Sequence, residues 1–384
     1  MHIVIVGGGV VGLSCAHALA ERDANVTVCE AGTLGGGSTG RAAGGIRMQF
    51  STPVNVDLSV ASVPVWESFE ERFGVDIDYR KNGYLFLARE AETADDFESN
   101  VEMQTARGVP SRTLSPADAA ELCPELHTEE FVAATYCPED GVADPHSAVQ
   151  GYSQAVTDAG VDVRTNTPVT GLDREENENR WRVETPDETL TADYIVNAAG
   201  AWARRVGRFA DVELPIAPRR RQAAVVEPER ELDAMHPLTI DLDSGAYFRP
   251  EREGTALVGG HFADSDPDVD PDDFSESADL DWTIEAVERA ADVAGYFGPE
   301  TRVRNGWAGL YAVTPDHHAV VDEVRPGFVV AAGFSGHGFQ HAPATGQCVA
   351  ELCLDGAASH VDISSLSLDR FEGDETGLVE RNVA

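Results

Sequence analysis

The clearest pattern in the chain is a short apolar run that ends in glycines and leads into a helical stretch. Residues 2–6 form that run, residues 7–12 read GGGVVG, and helical character continues to about residue 22. A second apolar run, residues 26–29, ends on Glu30, eighteen residues after Gly12. This order of strand, glycine turn, helix, strand and acid predicts a βαβ unit that binds a dinucleotide.

Each position in this motif has a physical task. Gly7 permits the tight turn, and Gly9 lets the backbone approach a pyrophosphate. Gly12 lets the helix pack closely on the strand, and Val11 lies in the same helix start, whose amides and dipole face the phosphates. Glu30 is expected to accept hydrogen bonds from ribose hydroxyls, which disfavours a 2′-phosphate there. An ordinary glycine-rich turn is the alternative, and it does not account for the strand, helix and acid together.

Two later segments repeat the order of buried strand, small-residue turn and helix. Residues 194–197 run into 198–202, and residues 328–332 run into 333–340. Small residues at these turns suit close approach to a cofactor.

The segments between these motifs are rich in strands and turns, which indicates an α/β chain with one nucleotide-binding domain interrupted twice. The nucleotide-binding domain is predicted to comprise residues 1–82, 141–215 and 306–384. The substrate-binding domain is predicted to comprise residues 83–140 and 216–305. A chain of 384 residues, 42% hydrophobic, is long enough for two such domains.

The charge is strongly one-sided. The chain has 67 acidic residues against 28 basic ones, a net charge of −39, and Lys81 is its single lysine. So large an excess, spread along the chain, needs counterions to screen it and predicts a salt-adapted cytoplasmic protein. The alternative is an acidic surface for a basic partner; nucleic acid is not expected as a partner.

Cysteines and apolar runs exclude other classes. The six cysteines show no CxxC or metal-ligand spacing, so we expect no metal site and mostly buried, reduced thiols. The first strand begins at residue 2 with no signal before it, and no apolar run approaches the ~18 residues of a membrane span. A soluble, intracellular protein is predicted.

Five motifs in order carry a resemblance to a known family. They are GGGVVG with Glu30, STGRAAGGIR (38–47), NAAGAWA (197–203), WAGLYAVTPD (307–316) and GFSGHGFQ (333–340). On these residues the chain resembles the glycine and D-amino acid oxidase superfamily, especially the branch of monomeric sarcosine oxidase and the dimethylglycine and proline dehydrogenase subunits. The resemblance implies an FAD-binding Rossmann-like domain of the glutathione reductase type with an inserted α+β substrate domain on an antiparallel-rich sheet.

The resemblance also implies cofactor contacts. Glu30 would hold the adenosine ribose, and Val169 would contact adenine through its backbone. Three residues would lie beside the pyrophosphate and flavin: Ser38, Thr39 and Arg41. The residues of the two later turns that would also bind the cofactor are Ala199, Gly200, Trp202, Gly333, Ser335, Gly336, His337, Gly338 and Phe339. The turn of residues 336–338 would place amides near the flavin pyrimidine, where the reduced ring gains negative charge.

For the substrate, the resemblance assigns Arg47 to the carboxylate, because a guanidinium binds a carboxylate through two hydrogen bonds. Tyr247 and His261 would flank the bound amino acid, and Tyr311 would form another wall. Two alternatives stay open: Arg47 as a structural arginine that caps a loop, and His261 as a hydrogen-bonded strand histidine without a catalytic role.

Departures from the family pattern refine these expectations. Gln340 replaces a lysine that helps to bind the carboxylate, and Arg249 is a candidate to compensate. The lysine that promotes reaction with oxygen would fall near Leu257, so its absence favours a dehydrogenase. Gly309 replaces the cysteine that links the flavin, and residues 38–47 lack the histidine that does so elsewhere, so the FAD is expected to be noncovalent.

The predicted function is oxidation of an amino acid or N-methyl amino acid, such as sarcosine, dimethylglycine, proline or a D-amino acid. A hydride would pass to flavin N5, and the imine would be hydrolysed. The expected partners are a small carboxylate-bearing amine and an electron acceptor, either oxygen or an electron-transfer protein. Further copies of the chain or a different subunit are also expected as partners, in a homo- or hetero-oligomer. The alternatives are a 2-hydroxy acid dehydrogenase and a flavoprotein subunit or assembly factor without turnover.

Overall fold

Two large β-sheets organise the chain in the computed structural model, which describes residues 1–175, 180–263, 265–372 and 379–382. The helices in these residues are α1 (Val10–Ala20), α2 (Pro53–Glu67), α3 (Phe69–Phe73), α4 (Ala91–Thr105), α5 (Pro116–Leu122), α6 (Pro145–Asp158), α7 (Ala203–Phe209), α8 (Leu280–Val293) and α9 (Gly338–Asp355).

The first sheet has the strand order β18-β19-β12-β1-β2-β8. These strands are β1 (His2–Val6), β2 (Asn25–Cys29), β8 (Asp162–Arg164), β12 (Tyr194–Asn197), β18 (Val320–Arg325) and β19 (Phe328–Ala332). All neighbouring pairs are parallel except β18 with β19. The inner strands β1, β12 and β19 are almost wholly buried because helices cover this sheet, which is why they are continuous apolar runs.

The second sheet has the order β17-β13-β16-β15-β14-β4-β6-β5. Its strands are β4 (Tyr84–Ala88), β5 (Arg112–Leu114), β6 (Ala133–Cys137), β13 (Ala217–Glu227), β14 (Leu238–Asp241), β15 (Tyr247–Pro250), β16 (Ala256–Gly260) and β17 (Arg302–Val313). Only β14 and β4 pair in parallel. The remaining described strands form a hairpin sheet and a small ribbon: β9 (Gly171–Glu175), β10 (Arg180–Glu184) and β11 (Thr189–Ala192), with β3 (Gly45–Ile46) and β7 (Gly141–Val142). The predicted α/β architecture is confirmed.

Local capping signals explain several helix starts. Ser115 accepts a hydrogen bond from the Asp118 amide and forms a capping box at α5, and Asp144 caps α6. The apolar stretch 53–73 predicts one helix, but the structure has two, α2 and α3, which meet at Ser68. A proline favours the first turn of a helix, so the sequence predicts a helix that starts at about Pro343. Helix α9 instead begins at Gly338, five residues earlier, and accommodates that proline in its second turn.

The domain division stays a prediction, and one of its boundaries falls inside a strand. Every strand of the first sheet comes from the segments predicted for the nucleotide-binding domain. Strand β17, however, runs through the predicted boundary at 305/306 and pairs with β13 along its whole length. Two glycines in this strand allow close packing: a Cβ on Gly306 would lie 2.8 Å from the Ala278 Cβ, and one on Gly309 would lie 2.9 Å from the Arg41 Cβ.

The structure also bears on the cysteines and on membrane-spanning helices. All six cysteines are buried, as predicted. Within the described residues, no helix combines the length and apolar character that crossing a membrane requires.

A buried histidine in the second sheet gives a pH-dependent prediction. The ring of His236 packs against Phe248 and Tyr296, its Nδ1 lies 2.7 Å from the Pro237 carbonyl oxygen, and its buried Nε2 has no partner among the described residues. Burial lowers the pKa of His236 from 6.5 to about 4. The neutral ring therefore contributes stability above pH 6.5 that is lost as pH falls toward 4, because only the unfolded chain takes up the proton in that window.

We expect His236→Asn, whose amide can still donate to Pro237, to reduce this acid sensitivity. Between pH 7.5 and 5.5 the wild-type free energy of unfolding should fall by about 1.4 kcal/mol more than that of the variant. Guanidinium denaturation at the two pH values measures both. Equal losses would contradict a neutral buried His236.

Candidate active site

A cavity of about 770 Å³ lies where the two sheets meet. Its lining includes the carboxyl ends of β1, β12 and β19 on one side and residues of β13, β14, β15 and β17 on the other. The ends of parallel strands are the usual ligand site of an open α/β sheet. The cavity therefore connects the predicted nucleotide site with the predicted substrate site.

The glycine turn after β1 leaves no room for side chains. Gly7 has φ of +110°, and a Cβ there would lie 2.5 Å from the Ala198 carbonyl oxygen. A Cβ on Gly12 would lie 2.0 Å from the Gly7 carbonyl oxygen, so α1 packs on the turn only because residue 12 is glycine. Gly12 does not line the cavity, because it faces Gly7 and Ala198 in the turns that follow β1 and β12. The turn fits the close backbone approach that a dinucleotide needs.

Glu30 lies at the cavity wall, where β2 ends. Its Oε2 accepts a hydrogen bond from the Gly8 amide at 2.7 Å, and its Oε1 accepts one from the Gly32 amide at 2.7 Å. These bonds fix the carboxylate while each oxygen keeps a second lone pair. The arrangement is compatible with acceptance of ribose hydroxyls.

The STGR segment packs between the helix start and strand β17. Thr39 Oγ1 accepts a hydrogen bond from the Val10 amide at 3.2 Å, and Ser38 Oγ donates to the Leu310 carbonyl oxygen at 2.6 Å. The stem of Arg41 covers Gly309, where a Cβ would be 2.9 Å from the Arg41 Cβ. A side chain at position 309, such as a cysteine, is therefore incompatible with this packing.

The turn after β19 forms the opposite wall. Gly336 has φ of +100°, and a Cβ there would lie 2.3 Å from the Tyr311 ring. His337 Nε2 lies 2.9 Å from the His317 carbonyl oxygen, so this nitrogen carries the hydrogen and donates, and burial lowers the pKa of His337 to about 3. With a neutral His337, positive potential at this turn comes from the amides and the start of α9.

At the far end of the cavity lies Arg47, which is buried. Its Nη1 donates to the Gln49 carbonyl oxygen at 2.5 Å, its Nη2 donates to the Asn382 carbonyl oxygen, and its Cζ lies 4.0 Å from the centroid of the Phe50 ring. The side chain of Gln340 also lines the cavity, and its Oε1 accepts from the Arg47 amide at 2.6 Å. Burial lowers the pKa of Arg47, and the Glu380 carboxylate opposes that effect.

Arg47 differs from the other arginines of the lining. Three of them pair with carboxylates: Arg41 with Glu276, Arg205 with Asp272, and Arg221 with Asp266. Arg47 has no carboxylate within 4.0 Å among the described residues. A buried cation without a counterion is costly, so its place at a cavity indicates an anionic ligand.

Three tyrosines surround this end of the cavity: the buried Tyr84 and the half-buried Tyr247 and Tyr311. Burial raises the pKa of each phenol, so the hydroxyls stay protonated and can donate hydrogen bonds. Each side chain also packs on a glycine. A Cβ on Gly45 would lie 2.1 Å from the Tyr84 hydroxyl oxygen, and Cβ atoms on Gly259 and Gly336 would lie 2.2 Å and 2.3 Å from the rings of Tyr247 and Tyr311. Sequence reasoning missed Tyr84; its alternation with Phe86 along β4 was the available signal.

The structure brings together around this cavity all predicted site residues except Gly12 and His261. His261 Nε2 lies 3.8 Å from Asp266 Oδ1, outside the lining, and burial lowers its pKa. Arg249, the candidate replacement for the missing lysine, also lies outside; its Nη2 is 3.0 Å from Glu251 and donates to the Ala43 carbonyl oxygen. Leu257 is buried in β16 and does not reach the cavity.

Comparison with known proteins gives a consistent result. Residues 2–352 match the family described as FAD dependent oxidoreductase (DAO). The chain is 32% identical to FAD-dependent oxidoreductase domain-containing protein 1 of Xenopus laevis, over 99% of this chain and 84% of that protein. It is 28% identical to glycine oxidase of Geobacillus kaustophilus (strain HTA426), over 97% of each. The crystal structure of L-proline dehydrogenase from P. horikoshii superimposes with a TM-score of 0.87 at 31% identity, over 97% of each chain.

Proposed function

Because the chain belongs to the DAO family of FAD-dependent oxidoreductases, we propose that it oxidises a small amino acid or N-methyl amino acid with one carboxylate. When bound, FAD supplies the acceptor for a hydride from the carbon next to nitrogen. The product imine takes up water and separates into an amine and a carbonyl compound. Solved or curated relatives named for glycine oxidation and proline dehydrogenation support this substrate class.

The observation that carries the proposal is Arg47. It is the buried arginine of the cavity that lacks a carboxylate partner among the described residues, and the carbonyls that hold Nη1 and Nη2 fix its plane. A substrate carboxylate would supply the missing charge and accept hydrogen bonds from it. Since Arg41, Arg205 and Arg221 are already paired, a second substrate carboxylate would find no free cation in the described lining.

The other residues at this end have supporting roles. The protonated hydroxyls of Tyr84, Tyr247 and Tyr311 can donate to the substrate and exclude bulk water. Leu238 and Ile240 of β14 give an apolar wall that suits a small aliphatic side chain. A partly dry pocket favours the neutral amine, whose lone pair is needed for imine formation.

For the cofactor, we propose noncovalent attachment. The packing of Arg41 on Gly309 leaves no space at position 309 for a cysteine side chain that could link to the flavin. Residues Gly7, Gly9, Val11 and Glu30 would hold the adenosine and pyrophosphate, and Gly12 would contribute by letting α1 pack closely on the turn. The other proposed cofactor residues are Ser38, Thr39, Arg41, Val169, Ala199, Gly200, Trp202, Gly333, Ser335, Gly336, His337, Gly338 and Phe339.

The net charge of −39 supports a salt-adapted cytoplasmic protein.

The panel that tests the function is anaerobic bleaching of the flavin absorbance band in molar KCl. Candidates are sarcosine, dimethylglycine, L- and D-proline, glycine, D-amino acids and 2-hydroxy acids. Bleaching by a monocarboxylate amine is the expected result. Bleaching only by a hydroxy acid would change the proposed substrate class from amino acids to 2-hydroxy acids. If no candidate bleaches the FAD-loaded protein, a role as a flavoprotein subunit or assembly factor is favoured.

We expect a dehydrogenase. The single lysine, Lys81, pairs with Glu67 and Glu139 outside the cavity lining, so no lysine can stabilise superoxide beside the flavin. The flavin is first reduced anaerobically by substrate and then mixed with air-saturated buffer. The rate constant for its reoxidation by oxygen should be smaller than kcat measured with an artificial dye acceptor. Reoxidation by oxygen at least as fast as dye-linked turnover would contradict this expectation.

A further inference from the structure

The segment of residues 379–382 enters the protein core next to Arg47. The side chains of Glu380 and Asn382 are buried, whereas Arg381 between them is exposed. The segment is also held from its other side, because the Glu380 amide donates to the Asp316 carbonyl oxygen at 3.0 Å. It is therefore a fixed part of the cavity surroundings.

The Glu380 carboxylate is fully engaged at the start of α2. Oε1 accepts from the Ser51 amide at 2.8 Å, the Ser51 hydroxyl at 2.7 Å and the Asn382 amide at 3.1 Å. Oε2 accepts from the Thr52 hydroxyl at 2.6 Å and the Asn55 side-chain amide at 3.0 Å. Burial alone would raise the pKa of Glu380, but these bonds hold it below its usual range. These five hydrogen bonds stabilise the carboxylate without an ion pair to the Arg47 guanidinium.

Asn382 transmits this anchoring to Arg47. Its carbonyl oxygen accepts from Arg47 Nη2, and its side-chain amide donates to the Gln49 carbonyl oxygen at 3.3 Å. The same Gln49 carbonyl accepts from Arg47 Nη1. One of the two carbonyls that orient the guanidinium is thus supplied by the segment, and the other is bonded to it.

We propose that Glu380 is a positioning residue for Arg47, acting through Asn382. The inference rests on the proposed function, in which Arg47 binds the substrate carboxylate. Glu380 lies near enough to support the charge of Arg47 electrostatically, yet its hydrogen bonds keep it from forming an ion pair. The carbonyl oxygens of Gln49 and Asn382 fix the orientation of the guanidinium plane, and its positive charge stays available to a ligand.

The test uses Glu380→Ala and Glu380→Gln in the FAD-loaded enzyme, with acetate as the probe. Titration of the flavin spectrum gives the dissociation constant for acetate, and steady-state rates with the substrate from the bleaching panel give KM and kcat. Misplacement of Arg47 should weaken acetate binding about tenfold and raise KM more than it lowers kcat. A purely electrostatic role predicts the opposite, because removal of a nearby negative charge would tighten acetate binding.

Arg381→Ala is the matched control, since that side chain points to the surface and pairs with Asp96. It should leave the acetate affinity unchanged. If Glu380→Ala does not fold, Thr52→Val removes one of the five hydrogen bonds and should weaken acetate binding about threefold. Unchanged or tighter binding in the folded variants, even with a lower Tm, would overturn the positioning role.

Arg47→Leu in the same titration separates the two claims. If that variant binds acetate as wild type does, the proposed function fails. If it loses acetate binding while the Glu380 variants keep theirs, only the role of Glu380 fails.

Discussion

Arg47→Leu should lower kcat/KM for the amino acid substrate by about 10³-fold, because loss of one partner of a buried charge pair costs about 4 kcal/mol. Leucine fills much of the same space beside Phe50, but it can neither balance the negative charge of the substrate carboxylate nor donate hydrogen bonds to it. The FAD content should stay at the wild-type level, since Arg47 lies at the substrate end of the cavity. Anaerobic reduction and steady-state kinetics measure the rate, and absorbance at the flavin band measures the cofactor.

Two companion variants sharpen this result. Arg47→Lys keeps the charge but loses the planar two-pronged donor, so its kcat/KM should lie between those of wild type and Arg47→Leu. Arg220→Leu removes an arginine of the second sheet that pairs with Asp279 outside the cavity lining, and it should stay within about threefold of wild type. Wild-type kcat/KM in Arg47→Leu would refute the assignment of the carboxylate site.

Gly7→Ala should yield protein that does not retain FAD. The backbone at Gly7 has φ of +110°, and the new methyl group would lie 2.5 Å from the Ala198 carbonyl oxygen, so the turn must move. A shift of this turn displaces the start of α1 from the pyrophosphate and removes the close backbone approach that the phosphates require. We expect a colourless protein after gel filtration, assayed by its absorbance and by FAD released on denaturation.

Gly160→Ala provides the matched control for backbone strain. Gly160 has φ of +80°, yet no heavy atom lies within 4 Å of a Cβ built there. This variant should lose about 1–2 kcal/mol of stability and remain yellow. If Gly7→Ala also purifies with one FAD per chain, the close approach of its backbone is not required for binding.

The nucleotide-binding unit could be predicted because its signals are local. Strand, turn, helix and acid follow one another within residues 2–30, and the cap at Asp144 is set by its immediate neighbours. Such patterns depend on the chain over a few residues, where propensity and hydrogen bonding decide the structure.

The substrate end was less accessible to sequence reasoning because strand register decides it. Tyr84 enters the cavity because β4 pairs with β14, about 150 residues later in the chain. Arg249 is turned toward Glu251 and the Ala43 carbonyl, and His261 lies beside Asp266. No short pattern states which face of a strand will meet the cofactor, since a one-residue shift reverses it.

The pairing of β1 also bears on how the protein is made. Ile3 of β1 lies opposite Tyr194 of β12, and β12 in turn pairs with β19, whose first residue is Phe328. Pairing of strands so distant in the chain is slow, because the loop between them must close first. During synthesis β1 can pair with β2 early, but its other edge stays open until β12 is made, and β12 in turn lacks its neighbour until β19 follows. A translation product that stops before residue 328 therefore leaves an unpaired, aggregation-prone edge in the sheet that carries the nucleotide turn.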